Sequence, residues 1–88
     1  MIEREVVLAG RHGLHARPAA EFVKLASRFE SDIELAKGEM TADGKSIMGV
    51  MMLAAECGSS LRLRVKGRDE SEAIAALAEF LESEPPEE

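Results

Sequence analysis

Leu61-Arg62-Leu63-Arg64-Val65-Lys66 alternates apolar and basic residues without a break. Side chains of a β-strand point to opposite faces in turn, so Leu61, Leu63 and Val65 share a buried face while Arg62, Arg64 and Lys66 meet water. A sheet with one wet face needs cover on the other face only. That selects a two-layer α+β domain over a parallel sheet covered on both sides. Gly67 ends the strand. Asp69, with Glu72 three residues on, has the spacing of a capping box. A helix over 70–81 follows, with Ala73, Leu77, Phe80 and Leu81 inward.

Upstream, Asp32-Ile33-Glu34-Leu35-Ala36-Lys37 alternates in the same way and predicts a second strand with Glu34 on the wet face. Gly38 marks a turn, and Met40-Thr41-Ala42-Asp43 returns as a short strand. Ser46 is a good N-cap for a short, very apolar helix over 47–53, and Gly58 ends the connection after it. At the front, 2–9 reads as a strand and 10–14 as a loop. A helix over 16–29 places Ala19, Phe22, Val23, Ala26 and Phe29 on one face, and Glu21, Lys24 and Arg28 off it. The order β-α-β-β-α-β-α predicts an open-faced sandwich: a four-stranded, mostly antiparallel sheet covered on one face by three helices. Residues 1–82 form the domain, and 83–88, with Pro85-Pro86, a flexible acidic tail.

At 88 residues there is room for one core. Phe22, Phe29 and Phe80 are the only aromatics, so aliphatic residues must build it. Cys57 is the sole cysteine, which excludes an internal disulfide and fits a reducing, cytoplasmic setting. Beside the short helix, Cys57 reads as an apolar filler or a bystander. The first residues lack the pattern of a signal peptide, and no apolar run approaches the ~20 residues of a membrane span. A net charge of −6 argues against a nucleic-acid partner. Glu82, Glu84, Glu87 and Glu88 carry much of it, while Arg11, Arg17, Lys24, Arg28 and Lys45 fall around two candidate site segments, where an acidic partner could dock.

The first of these segments is Gly13-Leu14-His15-Ala16-Arg17-Pro18-Ala19-Ala20. Pro18 suits a first helical turn, where its missing N–H has no intrahelical partner to lose. His15 then stands at or beside the N-cap. Free amides and the positive dipole end favour an anion there, and the same dipole keeps the imidazole neutral and nucleophilic. An imidazole, an arginine two residues on and an anion-favouring helix end together suggest a phosphoryl acceptor. The second segment is Lys45-Ser46-Ile47-Met48-Gly49-Val50-Met51. A helix this short cannot bury every side, so Ile47, Met48 or Met51 is expected in solvent as a soft docking patch. His12 and His15 form an H-x-x-H pair with no third ligand at metal-site spacing, so no metal and no cofactor are expected, and His12 reads as a surface loop residue.

These two runs, at this separation, resemble those of the HPr family, the histidine-containing phosphocarriers of the phosphoenolpyruvate-dependent sugar phosphotransferase system. The resemblance covers the whole chain in length, element order and motif position. It implies that enzyme I, charged from phosphoenolpyruvate, phosphorylates Nδ1 of His15, and that His15 passes the group to sugar-specific IIA domains. Arg17 would steady the phosphoryl group. Partners would meet Arg17, Ala20, Lys24 and Ser27 of the first helix together with Ile47, Met48 and Met51 of the second. Lys45 to Met51 looks like the version in which Ser46 is phosphorylated by HPr kinase/phosphorylase, with a transcriptional regulator as a further partner. A phosphate there would sit at a helix N-terminus and oppose docking of acidic partners. The carrier is expected to be a cytoplasmic monomer that is not itself an enzyme.

Three other readings fit the residues less well. A regulatory HPr-like protein acting through Ser46 lacks the active histidine, which is present here with its whole motif. A nitrogen-related branch shares the chemistry but has a regulatory output, and the residues around Ser46 lean against it. A β-α-β-β-α-β RNA-binding module needs stacking aromatics on the sheet and basic surface. Here the three phenylalanines fall in helical patterns and the charge is acidic.

Overall fold

The computed structural model describes residues 1–9, 14, 16–53 and 55–83. The chain runs β1 (Ile2–Val7), α1 (Ala16–Ala26), β2 (Asp32–Lys37), β3 (Met40–Asp43), α2 (Ile47–Met52), β4 (Ser60–Lys66) and α3 (Glu70–Glu82). The strands form one sheet in the order β1-β4-β2-β3, antiparallel throughout. The expected open-faced sandwich is therefore the observed architecture. Helix α3 lies against β1 and β4, α2 against β3, and α1 packs on both helices.

Period-2 alternation decides the two faces of the sheet. Val6, Ile33, Leu35, Leu61, Leu63 and Val65 point under the helices and are buried. On the open face the charges run in cross-strand rows. Glu34 faces Arg64, Arg64 faces Glu3, and Arg62 faces Glu5. An Arg64 guanidinium nitrogen meets a Glu34 carboxylate oxygen at 3.2 Å. Exposed pairs of this kind add about 0.2–1 kcal/mol each. Ala36 departs from the pattern, being buried on the open side, where it pairs with Thr41 and Arg62. Arg62 turns over β2 to donate to the Gly38 carbonyl at 2.8 Å.

Helix α1 ends at Ala26, earlier than the 16–29 expectation. The Arg28 and Phe29 amides donate back to Leu25 and Ala26, three residues each, so the chain tightens out of the α-helix. Phe29 thus lies beyond the helix, although it still packs against the core. In α3 the inward face is Ala73, Ile74, Leu77, Ala78 and Leu81. Phe80 is only half-buried and meets Phe22 with ring centroids 6.1 Å apart. Glu82 belongs to α3 and pairs with Arg4 at 3.5 Å; residues 84–88 of the expected tail lie outside the described residues.

The capping box is not formed. Asp69 is the N-cap residue of α3, yet its side chain makes no hydrogen bond to the helix. Its carboxylate accepts instead from the Ser31 hydroxyl and from the Glu30 and Ser31 amides. It therefore staples the loop after α1 to the start of α3. Those bonds, the Ser31 hydroxyl first, hold the Asp69 carboxyl below its ordinary range. Glu70 takes over at the helix start, accepting from the Gly67 amide at 2.9 Å. That bond, helped by the terminal ammonium 3.3 Å away, lowers its carboxyl as well.

Candidate functional site

The site is built where α1 and α2 lie side by side. Just ahead of α1, Leu14 is buried and its amide donates to the Ala55 carbonyl at 2.9 Å. The entry to α1 is thereby tied to the segment that follows α2. Nearby, the Leu8 amide donates to Ser59 and the Gly58 amide to Leu8. His15 and His12 lie outside the described residues, as does Arg11. The first turn of α1 carries no acidic residue.

Arg17, Ala20, Lys24 and Ser27 are all exposed, at steps of three and four residues. That spacing sets them in one row along α1 and its first residue beyond. The opposite face, Ala19, Phe22, Val23 and Ala26, is buried. One helix thus supplies both a core stripe and an exposed stripe.

Helix α2 repeats the division on a smaller scale. Val50 and the C-cap residue Leu53 enter the core, while Ile47, Met48, Met51 and Met52 stand in solvent. All three positions named as candidates for exposure are exposed. Met52 joins them, since a helix with one inward residue per turn has room for it outside. Ser46 caps α2 as expected. It is extended at φ −113 and ψ 114, and its hydroxyl accepts from the Gly49 amide at 3.1 Å. Gly49 allows a close approach, for a Cβ there would lie 3.3 Å from the Ser46 hydroxyl and 3.4 Å from the Ala42 methyl.

Lys45 carries a contact that periodicity gives no sign of. Its ammonium donates to the Phe29 carbonyl at 2.8 Å, while its amide donates to Asp43. The residue before Ser46 is thereby fastened to the segment that follows α1. Lys37 does the same at the far end of α2, donating to the Leu53 carbonyl at 3.3 Å. These two lysines fix α2 against α1 and the sheet at both ends.

Cys57 is exposed and not a core filler. Among the described residues no group of three or more His, Cys, Asp or Glu side chains could hold a metal ion. No described helix is long and apolar enough to cross a membrane.

The family model described as the PTS HPr component phosphorylation site matches residues 2–83. The chain belongs to the HPr family of phosphocarrier proteins. The phosphocarrier protein HPr of Treponema pallidum is 46% identical over 88 residues, covering all of both chains. The crystal structure of the phosphocarrier protein HPr from Bacillus anthracis superposes with a TM-score of 0.89 at 42% identity, covering 91% of this chain and 95% of that one. Crh of Bacillus subtilis, whose structure is described as a swapped dimer, superposes at 0.75 with 43% identity, covering 92% and 93%. In this HPr-family chain, a component of the phosphotransferase system by family and relatives, residues 16–20 of the first motif thus lie on α1 and residues 47–51 of the second on α2, and the two helices pack against each other.

Proposed function

We propose that His15 is the phosphoryl acceptor of this carrier: it takes the group on Nδ1 from phosphorylated enzyme I and hands it to sugar-specific IIA domains. One observation carries this reading. Residues 16–20 of the motif open α1 in a chain that matches, over 2–83, a family described by its phosphorylation site. In each transfer one N–P bond breaks and another forms, with the phosphoryl group moving whole. The carrier has only to present the imidazole and compensate charge. The amides of the first turn and Arg17 serve that purpose, with no acidic residue in that turn to oppose a dianion. A relay must also release its cargo, and few fixed cations favour that.

Arg17, Ala20, Lys24 and Ser27, with Ile47, Met48 and Met51, form the partner face in this reading, a basic and apolar surface suited to acidic partners. Phosphorylation of Ser46 by HPr kinase/phosphorylase would place a dianion within that face and slow docking, and a transcriptional regulator would read the modified form. In this reading the working form is a cytoplasmic monomer. Sedimentation at micromolar concentration tests that point against a swapped dimer of the kind described for Crh.

The acceptor is tested with purified enzyme I and labelled phosphoenolpyruvate. An acid-labile, base-stable phosphate is expected on the wild type and none on His15→Ala. Label that survives in His15→Ala defeats the assignment.

A further inference from the structure

We propose that Met48 and Met52 form a reversible oxidation site through which a peroxide weakens partner docking while leaving the fold intact. The docking half of this inference rests on the partner face assigned above, which includes Met48; Met52, one turn further along α2 and equally exposed, borders that face. The chain has five methionines, and every one of them is exposed. The core is made instead of Leu, Ile, Val, Ala and Phe22. Oxidation of methionine damages most proteins because it makes a buried apolar side chain polar. Here no buried sulfur exists to be converted, so the change is confined to the surface.

That surface is not random. Three of the methionines lie on the six-residue helix α2, where Met48 is 69% exposed, Met52 67% and Met51 37%. Accessible thioethers react first. The step is an oxygen transfer from hydrogen peroxide. The thioether sulfur attacks one peroxide oxygen, the O–O bond breaks, an S–O bond forms and water leaves. Sulfur is oxidised and peroxide reduced. The product carries a strong acceptor oxygen where a partner would have met a soft apolar side chain. Covering that oxygen without a donor costs enough to weaken binding about tenfold or more. Methionine sulfoxide reductases reverse the reaction, so the site is a switch and not a lesion.

The exposed thiol of Cys57 would also react, and a Cys57→Ser background removes it. That protein is treated with hydrogen peroxide and mapped by peptide mass spectrometry. Its melting temperature and its affinity for purified enzyme I are measured before treatment, after it, and after methionine sulfoxide reductase. Single oxygens are expected on Met48 and Met52 ahead of Met51. The melting temperature should not move, and affinity should fall about tenfold and return with the reductase. With Met48→Leu and Met52→Leu combined, affinity should be the same before and after peroxide. Affinity unaffected by sulfoxide at both positions overturns the inference, as does a fall in melting temperature or a loss that persists in the double variant. Failure of the untreated protein to bind enzyme I sinks the partner reading and the docking consequence with it. Binding that survives oxidation sinks the inference alone.

Discussion

Replacing Gly67 by alanine should be far more costly than replacing the other glycines of positive φ. Gly67 joins β4 to α3 at φ 155, and its amide donates to the Glu70 carboxylate while its carbonyl accepts from the Glu70 amide. A Cβ built there lies 2.5 Å from the Ser31 hydroxyl oxygen, 2.6 Å from Ser31 Cα and 2.8 Å from Ser31 Cβ. Ser31 cannot swing aside, for it is 1% exposed and its hydroxyl and amide are both held by Asp69. The backbone itself would have to move. Gly38 and Gly58, at φ 60 and 90, have nothing within 4 Å of a built Cβ. Alanine there meets only the conformational penalty, about 1–2 kcal/mol. At Gly67 the clash adds about 1–3 kcal/mol of overpacking to a penalty of similar size. Urea unfolding followed by circular dichroism at constant m measures all three variants. A Gly67→Ala loss within about 0.5 kcal/mol of the Gly38→Ala loss would refute the packing argument.

The Asp69 staple makes a pH prediction. Its carboxyl is held below the ordinary 3.8, so the stability it contributes is present above that value and is lost as pH falls through the lower folded value. Ser31→Ala should therefore melt below wild type at pH 7, with the gap narrowing below pH 3.8; a gap that widens in acid counts against the assignment. Lys45→Met should free the segment after α1 from the start of α2, and the amides of 27–29 and 47–50 should exchange faster while those of β4 do not change, as hydrogen-exchange mass spectrometry can read. Ser46→Ala removes the acceptor of the Gly49 amide and should lower stability by about 1 kcal/mol. Ser46→Asp keeps an acceptor and adds a favourable charge, so it should leave stability near wild type and slow phosphorylation by enzyme I; a fast Ser46→Asp protein would argue against charge as the brake.

The residues of β4 and β2 declared their own faces, because a strand's side chains alternate whatever it pairs with. The same local rule placed the buried stripe of α1 and the cap at Ser46, where a serine hydroxyl needs only an amide three residues away. The phosphocarrier motif was likewise legible, being contiguous in the chain. What depended on distant partners was not. Asp69 has a cap's position, but Ser31 and two amides of another loop compete for its carboxylate and win. The early end of α1 does not appear in its apolar spacing, which continues to Phe29 while the backbone tightens beyond Ala26. Lys45 looks like one more surface cation until folding brings the Phe29 carbonyl to its ammonium. Which face of each strand and helix is apolar follows from the local period alone. The strand order, the staple at Asp69 and the tie from Lys45 to the Phe29 carbonyl emerge only on folding. Those rest on contacts between groups far apart in the chain, which no local period records.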